Sequence, residues 1–353
     1  MLREVYHLRG APSGLPLIGI TSNTVPWELI RAAGFQPFLL SPSRARTPLA
    51  DRYMEDVFTA RVKRIFDCLL SPDAAALSAV IIPRTSEQEH KLYLYLCEVL
   101  REGVKRTPHP ILYNLLHTRS PEAQAYGLDR TRDLKTQLEQ LAGRPIASEA
   151  LIAAIEEGNA ARQAIRALLE LREGVSPKLS GSEALALVGA WYFMDRSDYA
   201  GLAREALREI ETRAPLAGPR ILIKGSPSDN TDLYAAVEAR GAVVVAEDDW
   251  WGSRAAGRDI DVTADPLQAI FEHYYFDAPS PRVFPAAIAD EWFFRKATEV
   301  DGVIFHLPPD DDVLGWDYPR LRAFLDQLSI PHLLLRGICP DEIGAFVESL
   351  PHA

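Results

Sequence analysis

Short apolar runs alternate with amphipathic stretches along most of the chain, the pattern of a parallel α/β fold. The clearest case lies near the start. Residues 17–20 form an apolar run and predict a buried strand, followed by the polar turn Thr21-Ser22-Asn23-Thr24. Pro26 stands at a helix start, where its missing N–H is no loss. Trp27, Leu29, Ile30 and Ala33 give that helix an apolar face, and Gly34 ends it. A second strand is expected over 35–40. The same unit recurs downstream: strand 221–223, turn Gly225-Ser226-Pro227-Ser228-Asp229-Asn230, helix 231–240 closed by Gly241, and strand 243–245. Each turn places free backbone N–H groups and hydroxyls at a helix N-terminus, a setting suited to anions and polar ligands.

Between these units the periodicity changes. In the first half, a helix is expected over 49–70, a strand over 79–82, a helix over 87–100 and a strand over 110–113. From about residue 121 to 214 no strand pattern appears. Ala, Leu, Glu and Arg dominate residues 150–173, with Leu151, Ile155, Ile165, Leu168 and Leu169 on one face. Further helices are expected over 182–193 and 199–213. Strands return at 302–305 and 330–335, with helices over 266–276, 289–299, 318–328 and 341–350. The expected architecture is therefore α/β: two flavodoxin-like three-layer α/β/α domains, at 15–120 and 220–353, flanking a helical segment at 121–214. A doubly wound sheet binds ligands at the carboxyl ends of its strands, so a site between the halves is expected.

Composition narrows the class. The chain has 353 residues, 47% hydrophobic and 25% charged, as in ordinary globular proteins. Its formal net charge of −11 argues against nucleic acid as a partner. No apolar stretch reaches the roughly 20 residues of a membrane span, and the N-terminus lacks a signal-like apolar core. Three cysteines, Cys68, Cys97 and Cys339, are too few and too scattered for a disulfide framework, so a cytoplasmic protein is expected.

Candidate chemistry sits at the strand ends. Ser22, Asn23 and Thr24, with Thr21, form the first turn; Ser226, Ser228 and Asn230 form the second; Arg254 follows the Trp250-Trp251 pair. These are candidate ligand-binding residues, against the simpler role of helix caps. Ser86, beside Arg84, Glu87 and His90, together with Glu28 and His306, are candidate catalytic residues; His117 is a weaker one. Glu28 lies in a helix first turn, where offsetting the helix dipole is its plain role. The run Asp310-Asp311-Asp312 reads as a solvated loop, because consecutive carboxylates diverge. Trp250-Trp251 reads as packing before ligand stacking. No P-loop, G-x-G-x-x-G, G-x-S-x-G or H-E-x-x-H motif is present, and no metal ligand set is identified.

Several pieces, in order and spacing, resemble the catalytic subunits of the 2-hydroxyacyl-CoA dehydratase and benzoyl-CoA reductase family over roughly residues 15–350. They are Val25-Pro26-Trp27-Glu28-Leu29-Ile30 with Ala32-Ala33-Gly34, Lys178-Leu179-Ser180-Gly181, and Arg220-Ile221-Leu222 with Gly225-Ser226-Pro227. Gly241 to Glu247, Asp301-Gly302-Val303-Ile304, Ile330-Pro331 and Ala345-Phe346-Val347-Glu348 complete the set. The resemblance implies paired homologous subunits, an acyl-CoA substrate and a [4Fe-4S] cluster held by cysteines.

Where the family pattern places thiolates, this sequence departs. The loop after the third strand reads Arg84-Thr85-Ser86-Glu87, so Ser86 takes a ligand position. The region Asp56-Val57-Phe58-Thr59 and the loop His306-Leu307-Pro308-Pro309-Asp310 also lack sulfur. The expectation is a cluster-free subunit that pairs with a cluster-bearing homologue around an acyl-CoA cleft. Alternatives are a homodimer, a stand-alone CoA-type binding protein, or an enzyme with a cluster-independent activity using Ser86, His306 and Glu28.

Overall fold

The computed structural model describes residues 14–351 apart from 43–45, 104–106, 281 and 310–311. Asp310 and Asp311 of the acidic run therefore lie outside the described residues. Two four-stranded parallel sheets carry the chain. The first contains β1 (Leu17–Ile20), β2 (Gln36–Leu39), β3 (Leu77–Pro83) and β4 (His109–Tyr113), in the order β2-β1-β3-β4. The second contains β5 (Arg220–Gly225), β6 (Val243–Glu247), β7 (Gly302–His306) and β8 (His332–Leu335), in the order β6-β5-β7-β8. The two orders are the same when counted within each half. Each is the flavodoxin-like pattern, with the switch point between its first and third strands.

In the first half, α1 (Trp27–Ala32), α2 (Ala60–Leu69) and α3 (Glu87–Arg101) follow β1, β2 and β3. The helical segment supplies α4 (Pro121–Ala142), α5 (Ser148–Glu170), α6 (Gly181–Ala190) and α7 (Arg196–Glu211). The second half adds α8 (Asp232–Glu238), α9 (Pro266–Phe276), α10 (Ala286–Ala297), α11 (Asp312–Gln327) and α12 (Pro340–Glu348).

Alternation along the strands sorts the core. Ala79 and Ile81 face one side of the first sheet, while Val80 and Ile82 face the other, against Ile65 and Phe66 of α2 and Leu92 and Leu96 of α3. In the second sheet Ile221 and Ile223 face one way, and Leu222 faces Phe293 of α10 and Leu321 and Leu325 of α11. The inner faces of both sheets join one continuous core with Leu151, Ile155, Ile165 and Leu168 of α5. Each such buried Ile or Leu contributes roughly 1.5–3 kcal/mol. Helix α5 packs on α1, α7 and α9, so the helical segment is a layer shared by both halves.

Two elements differ from the sequence expectation. Residues 49–70 are not one helix. A 3₁₀ turn, Ala50–Arg52, precedes α2, and the Asp67 carboxylate accepts from the Leu49 and Ala50 amides (2.6 and 3.2 Å), folding the segment back. Thr59 then caps α2 by accepting from the Val62 amide at 3.4 Å. Helix α11 begins at Asp312 rather than at 318 and carries Pro319 inside it. Leu314 of this extra length packs on the core of the second sheet beside Tyr318.

Candidate functional site

The first turn is roofed over. Thr21, Ser22 and Thr24 are all buried. The Ser22 and Thr24 hydroxyls lie 3.0 Å apart in a hydrogen bond, and the Thr24 amide donates to Ser22 Oγ at 3.4 Å. Thr21 Oγ1 donates to Glu89 Oε1 at 3.2 Å, the Thr85 hydroxyl donates to the other carboxylate oxygen, and Arg61 donates to the Thr21 carbonyl. Burial pushes the Glu89 carboxyl up to about 7, partly offset by Arg61. Ser86 caps α3 by accepting from the Glu89 amide at 3.1 Å. The switch point of the first sheet thus holds Thr21, Thr85, Ser86, Glu89 and Arg61 in one polar cluster.

Glu28 belongs to a different network. It is fully buried, ion-paired to Arg162 of α5, and accepts from the Tyr274 hydroxyl of α9 at 2.9 Å. The Trp27 amide donates to that same hydroxyl at 3.0 Å. One carboxylate therefore ties the first half, the helical segment and the second half together. Space for it comes from Gly158, where a Cβ would stand 2.8 Å from Glu28 Oε1. Arg162 also donates to Asn159 Oδ1 at 3.0 Å.

Beside this network lies a cavity of about 30 Å³, room for one or two waters or a small polar group. Asn23 and Trp27 line it from the first half, Trp191, Tyr192 and Arg196 from the helical segment, and Arg254, His273 and Tyr274 from the second half. Of the residues expected to bind a ligand, Asn23 and Arg254 are on the wall of this small cavity. Arg254 is committed to Asp248 at 3.0 Å. Arg196 is 4% exposed and lies against the rings of Trp191 and Trp27, 4.9 Å from the Trp27 centroid. Its Nε and Nη1 have no hydrogen-bond partner among the described residues, nor does Asn23 Oδ1. Burial lowers the Arg196 pKa to about 9, so the group remains cationic at neutral pH.

The second turn is open. Ser228 Oγ donates to the Asn230 carbonyl at 3.0 Å, and Asn230 Oδ1 accepts from the Asp232 amide at 3.1 Å, starting α8. Ser226 is half-buried beside them. Asp229 receives a hydrogen bond from Ser41 across the halves. His306 closes β7, half-buried, in register with Gly225 and Leu335. His117 is buried, and burial lowers its pKa to about 4. Trp251 is a core residue, its indole N–H donating to the Leu185 carbonyl at 3.4 Å. Ser86 and Glu28 thus serve separate networks, one at the switch point and one at the junction of the three layers.

The donors at the expected thiolate positions suit an iron–sulfur cluster poorly. Ser86 and Thr59 are helix caps, and the loop after β7 offers His306 and prolines. The thiols lie elsewhere: Cys68 in α2, Cys97 in α3 and Cys339 before α12. Among the described residues, no group of three or more His, Cys, Asp or Glu is arranged to hold a metal ion. No helix among them is long and apolar enough to cross a membrane.

The family model for the 2-hydroxyglutaryl-CoA dehydratase D-component matches residues 23–350, nearly the whole chain. The chain belongs to that family. Curated relatives agree. The beta subunit of (R)-phenyllactyl-CoA dehydratase from Clostridium sporogenes is 22% identical over 334 residues, covering 92% of this chain and 86% of the relative. Subunit beta of (R)-2-hydroxyglutaryl-CoA dehydratase from Acidaminococcus fermentans is 22% identical over 365 residues, covering 96% and 93%. The match over the full length, together with two flavodoxin-like sheets, fits the resemblance drawn from the sequence motifs.

Sequence reading missed Arg162, Arg196, Tyr274, Arg61 and Glu89. One signal was present. Leu151, Ile155, Gly158, Arg162, Ile165 and Leu169 follow one helical stripe of α5, and a glycine and an arginine interrupt its apolar run. Glu89 has local partners in Thr85 and Ser86, but Arg61, Arg196 and Tyr274 gain their roles through partners distant in the chain.

Proposed function

We propose that this chain is a subunit of a 2-hydroxyacyl-CoA dehydratase-type assembly, paired with a homologous subunit that carries the iron–sulfur cluster. Its own contribution is a wall of the acyl-CoA cleft. The observation that supports the reading is full-length family membership together with Ser86, which caps α3 at the position where the resemblance leads one to expect a cysteine. Cluster assembly needs several anionic sulfur donors at fixed positions. Both named relatives are beta subunits, which supports a heteromeric role. The cavity between the halves is far too small for a CoA thioester, which favours a cleft completed by a second subunit.

Purification from the native host under anaerobic conditions tests this. The expected result is co-elution with a family homologue, with iron and sulfide that stay with that partner when the subunits are separated. Stoichiometric iron on this chain alone would overturn the cluster-free assignment. A chain that elutes alone and binds acyl-CoA unaided would overturn the pairing.

A further inference from the structure

We propose that the arginine cluster at the carboxyl ends of β3 and β4 is a binding site for a diphosphate group, with the Arg84 and Arg282 guanidiniums as its two contacts. Arg84 is the residue after β3, and its amide donates to the Tyr113 carbonyl at the end of β4 (3.3 Å). Glu87, in the first turn of α3, pairs through the same Oε1 with Arg84 at 3.3 Å and with Arg282 of the second half. His90 Nδ1 lies 3.9 Å from the other Glu87 oxygen. The backbone just after Arg282 runs beside the loop that follows β4. There the Phe284 amide donates to the His117 carbonyl at 3.2 Å, and the Arg119 amide donates to the Phe284 carbonyl at 2.9 Å. Arg119 and Arg282 both act on His117, adding to the fall that burial imposes on its pKa. The Arg119 guanidinium itself donates to the Tyr275 and Phe276 carbonyls, so it adds positive potential rather than a free fork.

Charge accounting leaves this cluster short of anions. Arg84, Arg119, Arg258 and Arg282 stand against two carboxylates, Glu87 and Asp277. Asp277 is bound by Arg258 at 2.9 Å and acts on Arg119 at longer range. Glu87 is divided between Arg84 and Arg282. Two positive charges are therefore uncompensated among the described residues, on a chain whose formal net charge is −11. The cluster is also open. The Arg84 and Arg282 side chains are 31% and 35% exposed, so an anion reaches them without displacing the core. Guanidinium forks match phosphate oxygens, and the two linked phosphates of a diphosphate supply one group for each arginine. Sheets of this order bind their ligands outside the carboxyl ends of the strands, where the cluster lies. Phe284, 62% exposed and two residues after Arg282, offers an apolar surface on which a base can rest. This inference stands apart from the subunit reading, since it concerns this chain alone and its readout needs no partner.

The test is a calorimetric titration of the full chain with inorganic pyrophosphate and with ADP, at neutral pH, constant ionic strength and without divalent cations. The expected result is saturable binding that weakens at least about tenfold in Arg84→Gln and in Arg282→Gln, each the loss of one charged contact. Binding should tighten in Glu87→Gln, which removes the carboxylate competing for both arginines. Equal affinity for the two ligands assigns the diphosphate alone. Tighter binding of ADP, with the advantage lost in Phe284→Ala, assigns a nucleotide. The altered side chains are solvent-exposed, and circular dichroism confirms that each variant folds. No saturable binding of either ligand, the same affinity in wild type and both arginine variants, or no gain in Glu87→Gln would overturn the proposal.

Discussion

The turn after β1 and the turn after β5 occupy equivalent places in sheets of the same strand order, yet Thr21, Ser22 and Thr24 are buried while Asn230 faces solvent. Both begin as a polar turn between an apolar strand and a short helix. What differs is the covering. Helix α5 crosses α1 and delivers Arg162 to Glu28, and α9 delivers Tyr274. Helix α8 after the second turn instead packs its inner face on α12 and α6, leaving its N-terminal turn open. The local motif is repeated, but the inserted helical segment breaks the equivalence. The first turn becomes part of a junction, and the second remains a cap.

Glu28→Ala should break this contrast most strongly. It strands Arg162 in the core and should cost about 3–5 kcal/mol in urea unfolding, the cost of removing one partner of a buried pair. A loss below about 1 kcal/mol would mean that the junction is wet and the pairing weak.

The next effect is in the pH dependence. Glu89 has a folded pKa near 7, raised by burial from an ordinary value of 4.5. The folded state therefore binds more protons than the unfolded state between those values, and stability should fall as pH rises from 4.5 to 7. The loss should reach about 3 kcal/mol above pH 7. Urea midpoints measured at pH 5 and pH 8 check the sign, and Glu89→Gln should flatten this part of the profile.

Ser86→Ala removes the α3 cap and should cost about 1 kcal/mol without altering the fold, as read by thermal unfolding and circular dichroism. The smallest change should come from the open turn. Asn230→Ala removes one solvent-exposed hydrogen bond to the Asp232 amide and should cost about 0.5 kcal/mol. A cost for Asn230→Ala equal to that for Glu28→Ala would erase the distinction between the two turns.

The strands, the two similar halves and the helical segment were legible in the sequence because hydrophobic period is a local property. Residues 79–82 read as a strand from four apolar positions, and the structure extends it only to Leu77–Pro83. The closing glycines were legible for the same reason: Gly34 and Gly241 both adopt positive φ, which costs glycine little. Boundaries failed where a distant side chain decided them, as when Asp67 folded residues 49–50 back and ended the expected long helix. The membership motifs were also local, since each piece lies within a single strand or helix and its adjoining turn.

The site followed the opposite rule. Glu28 and Ser86 could be named as polar residues at helix starts, but not their partners. Arg162 lies 134 positions from Glu28, and Tyr274 lies 246 positions away. Asn23 was a named candidate, whereas Arg196 was one arginine among many until folding set it between two tryptophans on a cavity wall. Sequence alone determined which segments are strands and helices, because period and turn chemistry act over a few residues. Tertiary structure alone decided which charges are buried and which partners they meet, because burial and Coulomb attraction depend on distance in space.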